Sequence, residues 1–192
     1  MKVIGIAFSD LHLGEYPKFN EENKRTLSIF RVLYLIKDLC IKYKCPAFFS
    51  GDFMHRPEYI STSLDEIIIE KFEELNRCEE FNIYGISGNH DLQKSNSIDR
   101  RSPSHWANLC NRYSFLHNLD FSYHEFDKFR VVGIPYLDHN KGLDTLIKAQ
   151  MNEAMLKPTI LLLHTDYPGA KDTDNTEVGT VENLNVNLLS KF

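Results

Sequence analysis

Side chains that can bind a metal ion or transfer a proton follow four apolar runs of this sequence. The runs span residues 3–9, 47–50, 82–87 and 159–164, and polar residues stand within two positions of the end of each run. The full set comprises Asp10, His12, Asp52, His55, Asn89, His90, Asp91 and His164. Because such residues recur at the ends of apolar runs, the sequence predicts a metal-dependent or acid–base site rather than unrelated polar residues on the surface.

The spacing and type of these residues favour a metal centre. Asp10 and His12 are two residues apart, so they would point to the same side of a strand and could bind one ion. Gly51 and Gly88 lack a Cβ and let the backbone turn sharply beside the site. Carboxylate, imidazole and amide donors without a thiolate suit Mn²⁺, Fe²⁺ or Zn²⁺, with Mg²⁺ as a further alternative. Phosphoester cleavage commonly uses two ions about 3.5–4 Å apart joined by a carboxylate, and Asp52 is the candidate for that bridge.

Structural explanations exist for each residue taken alone. A single Asp or His after a strand is more often a turn residue or a helix cap than a ligand. Four clusters, each directly after a predicted strand, are much harder to explain in this way. Arg100 and Arg101 could contact phosphates, but an exposed helix start is the preferred interpretation. Four further histidines have no comparable context and are predicted to be surface or core residues: His105, His117, His124 and His139.

The elements that must position the site begin as alternating strands and helices. Apolar residues at helical spacing predict helices over residues 21–44 and 64–78, between the first three strands. This β-α-β-α-β order predicts an α/β fold with a parallel, buried sheet, whose ligand crevice lies at the carboxyl ends of the strands. The later chain is predicted to hold a short helix over 102–113, a hairpin of 121–126 with 129–137, helices over 142–157 and 184–192, and a long loop over 165–183.

Composition sets outer limits on the class of protein. The 192 residues are 42% hydrophobic and carry a net charge of −5, which excludes a uniformly basic surface but not a local basic stripe. Four scattered cysteines without a C-x-x-C pair are typical of reduced thiols in a cytosolic protein. No apolar run approaches the roughly 18 residues of a membrane span. We therefore expect one domain over residues 1–192, in the cytoplasm of a bacterium or a phage-infected host cell, with no membrane partner.

The motifs as a set resemble the calcineurin-like metallophosphoesterases. Asp10-x-His12, Gly51-Asp52, Gly88-Asn89-His90-Asp91 and His164 occur in the family's order. The resemblance implies an αββα two-sheet sandwich and a centre with two ions. In that centre one ion is bound by Asp10, His12 and Asp52, and the other by Asp52, Asn89 and His164. His90 would act beside the ions on the phosphate or the leaving group, and we expect Asp91 to orient the His90 imidazole.

The second motif, "GDFMHRP", is similar to that of the SbcD-like DNA repair nucleases. The stretch "GNHDLQKSN" and the compact hairpin also resemble the nuclease subunits that large phages encode. In the SbcD-like enzymes the histidine three residues after the Asp, here His55, helps to position the scissile phosphate. The resemblance implies a Mn²⁺-dependent DNA exonuclease or endonuclease that acts by two-metal hydrolysis. It also implies a homodimer and an SMC-like, SbcC-type ATPase partner. Apolar residues of two helices, among them Ile67, Ile68, Ile69, Phe72, Trp106 and Leu109, are predicted to form the dimer contact.

One motif of that family is missing. The sequence contains no Gly-His-x-His, which supplies one imidazole to each metal in the family. We therefore expect a domain that is incomplete at its C-terminal end, a weakened metal centre, and a 192-residue chain that is weakly active or inactive. Two alternatives to a nuclease stay open at this point. One is a phosphodiesterase or phosphatase for small molecules, and the other is a catalytically impaired module that docks an ATPase or DNA.

Overall fold

The structure, a computed structural model, describes residues 2–15, 24–55, 60–92, 104–137 and 157–165. Ten elements lie in these ranges, and they form two β-sheets with helices. In chain order they are β1 (Ile6–Phe8), α1 (Lys24–Tyr43), β2 (Ala47–Phe49), α2 (Thr62–Asn76), β3 (Ile83–Gly85), α3 (His105–Arg112), β4 (Leu116–Asn118), β5 (Ser122–Glu125), β6 (Arg130–Ile134) and β7 (Thr159–Leu163). The predicted α/β class with two sheets is confirmed.

The first sheet has the order β1-β2-β3-β4, and every neighbouring pair is parallel. Helices α1 and α2 provide the two connections that the β-α-β-α-β pattern predicts, and α3 provides a third, between β3 and β4. Strand β1 has three residues, fewer than the seven of the predicted run 3–9. Strand β4 was not predicted, because His117 and Asn118 interrupt the apolar pattern that a strand buried on both faces normally shows.

The second sheet has the order β5-β6-β7. Strands β5 and β6 are antiparallel, with Ser122 opposite Gly133, which confirms the predicted hairpin. Strand β7 then pairs with β6 in parallel, with Arg130 opposite Thr159. This parallel pair ends at Leu163, so it delivers His164 to the carboxyl end of the sheet.

Alternation along β2 explains why the two sheets stack. Successive side chains of a strand point to opposite faces. Ala47 and Phe49 belong to a large apolar cluster with the three helices, whereas Phe48 belongs to a second cluster with Val131 and Leu162 of the other sheet. The first sheet is therefore covered by helices on one face and by the second sheet on the other. The predicted helices over 142–157 and 184–192 would complete an αββα sandwich, and apart from residue 157 they lie outside the described residues.

Helix α2 begins and packs as its sequence requires. The Ser61 side chain accepts a hydrogen bond from the Leu64 backbone N–H, which caps the helix. Four apolar residues of the helix are buried at spacings of three or four, on one face: Leu64, Ile68, Phe72 and Leu75. None of the helices in the described parts of the chain is both long and apolar enough to cross a membrane.

The apolar residues that were predicted to form a dimer contact are largely buried within the single chain. Ile68, Phe72 and Trp106 are 4%, 0% and 0% exposed within the single chain. The Trp106 indole Nε1–H donates to the Gly85 carbonyl at 3.0 Å, so this ring is held in the core. Ile67 and Leu109 are partly buried against the same cluster. The apolar stripe is therefore mostly used by the fold itself, and homodimer formation stays a prediction without this support.

We expect the phenylalanine core to dominate stability. Phe72→Ala removes a ring that contacts Phe30, Phe53, Tyr113 and Phe115. It should lower the free energy of unfolding by about 3–5 kcal/mol. The matched control is Phe121→Ala, at a position that is 55% exposed, where a change within about 0.5 kcal/mol is expected. Urea denaturation measures both variants, and equal losses in the two would contradict the assigned core.

Candidate metal centre

The chain stays paired beyond the ends of β1 and β2. The Asp10 N–H donates to the Gly51 carbonyl at 3.0 Å, and the His12 N–H donates to the Asp52 carbonyl at 3.0 Å. A parallel bridge between Leu13 and Met54 continues this pairing. The two turns after the strands are therefore aligned residue by residue, which brings the first and second polar clusters together.

The first three candidate ligands lie on left-handed backbone and not on regular strands. Asp10, His12 and Asp52 have φ angles of 56°, 47° and 61°, which non-glycine residues seldom adopt. The expectation that Asp10 and His12 lie on a strand and share one of its sides is wrong, because β1 ends at Phe8. The two side chains nevertheless converge, with His12 Nε2 at 3.7 Å from Asp10 Oδ1. Backbone strain of this kind is commonly held at functional sites.

Asp10, His12 and Asp52 form one compact group of potential ligands. Each offers one ligand atom, and these atoms all lie within 4.8 Å of one another. His12 Nε2 is 3.7 Å from Asp10 Oδ1 and 3.6 Å from Asp52 Oδ2. Asp52 is 4% exposed, whereas the Asp10 side chain is 57% exposed and accepts a hydrogen bond from the Ser9 hydroxyl. Burial lowers the pKa of His12, against the opposing effect of Asp52, and this favours the neutral imidazole that binds metals.

His164 approaches the same carboxylate from the second sheet. Its Nδ1–H donates to the Ser50 carbonyl at 2.8 Å, because a carbonyl can only accept. Its Nε2 lies 3.7 Å from Asp52 Oδ2 and 3.0 Å from Asn89 Oδ1. Carboxylate, imidazole and amide groups this close together can share one divalent ion, so the residues present suit such an ion.

The Asn89 amide can serve this arrangement in two orientations. With its oxygen inward it is a ligand candidate, as the sequence predicts. With oxygen and nitrogen exchanged, its nitrogen donates to Asp52 Oδ1 and Oδ2 at 3.3 and 3.2 Å and to His164 Nε2 at 3.0 Å. A cation would select the first orientation, because only an oxygen can be its ligand.

Two glycines make this close approach possible. A Cβ on Gly51, which has a φ of 102°, would lie 2.5 Å from His164 Nδ1. A Cβ on Gly88 would lie 2.1 Å from Asp52 Oδ1. The glycines predicted to permit sharp turns therefore also provide the space in which Asp52, Asn89 and His164 meet.

The Asp91 carboxylate binds backbone N–H groups and not the His90 imidazole, which it was expected to orient. Asp91 is fully buried, and its carboxylate accepts hydrogen bonds from four backbone N–H groups: Asp52 at 2.9 Å, Phe53 at 3.2 Å, Met54 at 2.9 Å and Gly88 at 2.8 Å. These contacts hold the Asp52 turn against the Gly88 turn, and they leave the His90 imidazole without an Asp91 contact in the described part of the chain. Burial raises the pKa of the Asp91 carboxyl to about 6, although the backbone donors act in the opposite direction.

His55 and His90 lie directly beside the ligand group. The His90 N–H donates to Asp52 Oδ1 at 2.9 Å, and its ring is perpendicular to that of His12 at 4.8 Å between centroids. The His55 ring stacks on that of His90 at 5.4 Å. The eight residues singled out from sequence therefore occupy one region, although their individual roles stay predictions.

Three residues that support the site were not predicted from the sequence: Ser87, Asp120 and Tyr136. Asp120 accepts hydrogen bonds from the Ser87 N–H at 2.8 Å and hydroxyl at 2.6 Å, which fixes the chain before Gly88. Tyr136 donates its N–H to the Ser87 carbonyl at 3.0 Å. Burial raises the pKa of the Asp120 carboxyl, and the Ser87 donors oppose this rise. Asp120 stands after β4 as the other clusters stand after their strands, so recognition of β4 would have found it.

Three further histidines of the described residues do not join the centre. The rings of His117 and His124 both contact that of Tyr84, with 4.4 Å between ring centroids in each pair, and the Tyr84 side chain packs against the cluster between the sheets. His105 begins α3, and its N–H donates to the Asp91 carbonyl at 2.8 Å. Arg100, Arg101 and His139 lie outside the described residues.

Comparison with known proteins places these features in context. The model of a family described as calcineurin-like phosphoesterase matches residues 6–189. Among curated proteins, none matches the sequence. Among solved structures, the crystal structure of Pseudomonas putida nuclease MPE is similar to the chain, with 12% sequence identity and a TM-score of 0.39. The similarity covers 82% of this chain and 59% of that nuclease, so the chain spans less than two thirds of the nuclease's length.

We expect Asp91 to be essential for stability rather than for proton transfer. Asp91→Asn keeps the shape of the side chain, but its NH₂ group must face at least one backbone N–H donor, that of Met54 if the oxygen keeps the other three. The free energy of unfolding should fall by about 1–3 kcal/mol, because at least one buried donor loses its acceptor. Asp10→Asn, at a largely exposed side chain, should change it by no more than about 0.5 kcal/mol. Chemical denaturation without added metal tests this, and an Asp91→Asn variant as stable as Asp10→Asn would refute the assignment.

Proposed function

This chain belongs to the calcineurin-like phosphoesterase family, whose members depend on metal ions, and we propose that it hydrolyses phosphodiester bonds of DNA. The observation that carries the proposal is the close grouping of Asp10, His12 and Asp52, with Asn89 and His164 against the same Asp52 carboxylate. Carboxylate, imidazole and amide groups in such a cluster suit a divalent cation. A phosphoester is the substrate class that the family match favours.

The residues divide between two positions for ions. Asp10, His12 and Asp52 would hold one ion, and Asp52, Asn89 and His164 would hold the other. A bound Mn²⁺ would polarise the phosphate oxygen and activate a water molecule for attack. The two carboxylates carry a total charge of −2, which balances one divalent ion, and Asn89 contributes no charge. We therefore propose that the position of Asp10, His12 and Asp52 has the higher affinity.

We propose that His90 handles the proton of the leaving group. Its backbone is tied to the buried Asp52 carboxylate, and its ring lies beside His12. An imidazole that is partly exposed next to the ligand group can protonate the departing 3′-oxygen. Because the Asp91 carboxylate is engaged by backbone donors, the His90 ring is instead positioned by its contacts with the rings of His12 and His55.

DNA is proposed over smaller phosphodiesters because of His55. A bare metal centre does not require this residue, yet its ring stacks on His90 at the edge of the ligand group. From there it can donate a hydrogen bond to the scissile phosphate, as the resemblance to SbcD-like nucleases implies. The homodimer and the SMC-like ATPase partner are further proposals that rest on the same resemblance.

Replacement of His90 should separate catalysis from metal binding. In a longer version of the protein that carries the Gly-His-x-His motif, we expect His90→Ala to lower turnover of bis-(p-nitrophenyl) phosphate by about 10²–10⁴-fold, while Mn²⁺ affinity stays close to that of the same version without the change. His124→Ala is the matched control, because that imidazole lies between the sheets and should leave both quantities unchanged. Turnover assays and calorimetry measure the two effects. Loss of Mn²⁺ binding in His90→Ala would show that His90 is a ligand instead.

Replacement of His55 tests the choice of substrate. We expect His55→Ala to reduce the cleavage of linear duplex DNA by more than tenfold, an effect on the order of 1.4 kcal/mol or more. Cleavage of bis-(p-nitrophenyl) phosphate should fall less, because that small substrate depends less on positioning. The ratio of the two rates in one preparation is the measurement. A chain that cleaves the small phosphodiester but never DNA would support a small-molecule phosphodiesterase.

A further inference from the structure

Three imidazoles meet beside the carboxylate centre. His12, His55 and His90 each offer one ring nitrogen, and these nitrogens lie within 4.8 Å of one another. The ring centroids are 5.7 Å apart for His12 and His55, 4.8 Å for His12 and His90, and 5.4 Å for His55 and His90. All three residues are partly exposed, so an ion from solution can reach the group.

The backbones of the three histidines are anchored on the same two turns. The His12 N–H donates to the Asp52 carbonyl at 3.0 Å, and the His90 N–H donates to Asp52 Oδ1 at 2.9 Å. The His55 N–H donates to the Leu13 carbonyl at 2.8 Å. The rings are therefore held close together by the fold, and little ordering is needed to bring them onto one ion.

The distances allow this with small movements. An ion at the centre of a triangle with 4.8 Å sides would lie about 2.8 Å from each nitrogen, whereas Zn–N bonds are about 2.0–2.1 Å. Movement of each nitrogen by roughly 0.7 Å, within reach of ring rotation, closes the difference. Water can complete the remaining positions.

The donor chemistry separates this group from its neighbour. Three imidazole nitrogens favour Zn²⁺, Ni²⁺ and Cu²⁺, whereas carboxylate-rich sites accept Mn²⁺ and Mg²⁺ readily. His12 belongs to both groups. A neutral imidazole has one lone pair available for a metal, so His12 cannot serve both positions at once.

We propose that His12, His55 and His90 form a second, alternative site for borderline divalent cations such as Zn²⁺ or Ni²⁺, and that its occupation excludes an ion from the Asp10, His12 and Asp52 position. Occupation would also engage the His55 and His90 rings. The site would therefore make the protein sensitive to inhibition by these ions. This inference depends on the arrangement of the rings and not on the proposed nuclease function.

Metal binding to the full chain tests the proposal without an activity assay. Zn²⁺ and Mn²⁺ would each be titrated alone by calorimetry, and Zn²⁺ would then be titrated into the Mn²⁺-loaded chain. We expect Zn²⁺ to displace bound Mn²⁺. His55→Ala should weaken Zn²⁺ binding by at least about tenfold and leave Mn²⁺ affinity unchanged. Asp10→Asn should weaken Mn²⁺ binding and leave Zn²⁺ affinity unchanged. His124→Ala, which alters an imidazole outside the group, should change neither.

A spectroscopic measurement counts the ligands directly. Cu²⁺ bound to the chain should show electron paramagnetic resonance splitting from three nitrogens, and from two in His55→Ala. His90→Ala should give the same loss of one nitrogen, so the test stands if either variant folds poorly. The proposal would be overturned if both histidine substitutions left Zn²⁺ affinity unchanged while Asp10→Asn reduced it. Zn²⁺ binding that leaves the Mn²⁺ bound would overturn it too.

Discussion

The buried carboxylate of Asp91 is the interaction on which the arrangement of the centre depends. It accepts hydrogen bonds from three consecutive N–H groups of the turn after β2 and from one N–H of the turn after β3. Those donors would otherwise be buried without partners, at a cost of about 1–3 kcal/mol each. By joining the two turns, Asp91 holds Asp52 in its left-handed conformation and places Gly88 against it. The acidic residue that follows the histidine is therefore structural support for the ligands.

The fold delivers the remaining residues to the same place through parallel strands. Strands β1, β2 and β3 lie side by side in one sheet, so their carboxyl ends share one edge. Strand β7 belongs to the other sheet, yet its parallel pairing with β6 carries His164 toward the Asp52 carboxylate. The centre thus lies where the two sheets meet, and packing between the sheets, through Phe48, Val131 and Leu162, controls its geometry.

Much of this could be predicted from sequence because the determinants are local. Apolar runs predicted the strands, helical spacing predicted α1 and α2, and the polar clusters predicted the residues of the centre. The conformation of Asp10 and His12 was not predictable in this way, since left-handed backbone at a non-glycine residue depends on tertiary contacts. Neither was the role of Asp91, because the number of backbone donors around a carboxylate follows from how separate turns meet. Strand β4 and Asp120 were missed because polar residues interrupt the strand pattern.

Diffraction from crystals soaked in Mn²⁺, with anomalous scattering recorded for manganese, tests the central claim most directly. That claim is that turns joined by Asp91 present the carboxylates and imidazoles to a divalent ion. The account predicts a manganese peak within about 2.5 Å of ligand atoms of Asp10, His12 and Asp52. Manganese bound elsewhere, or no manganese at these three residues at a saturating concentration, would contradict it.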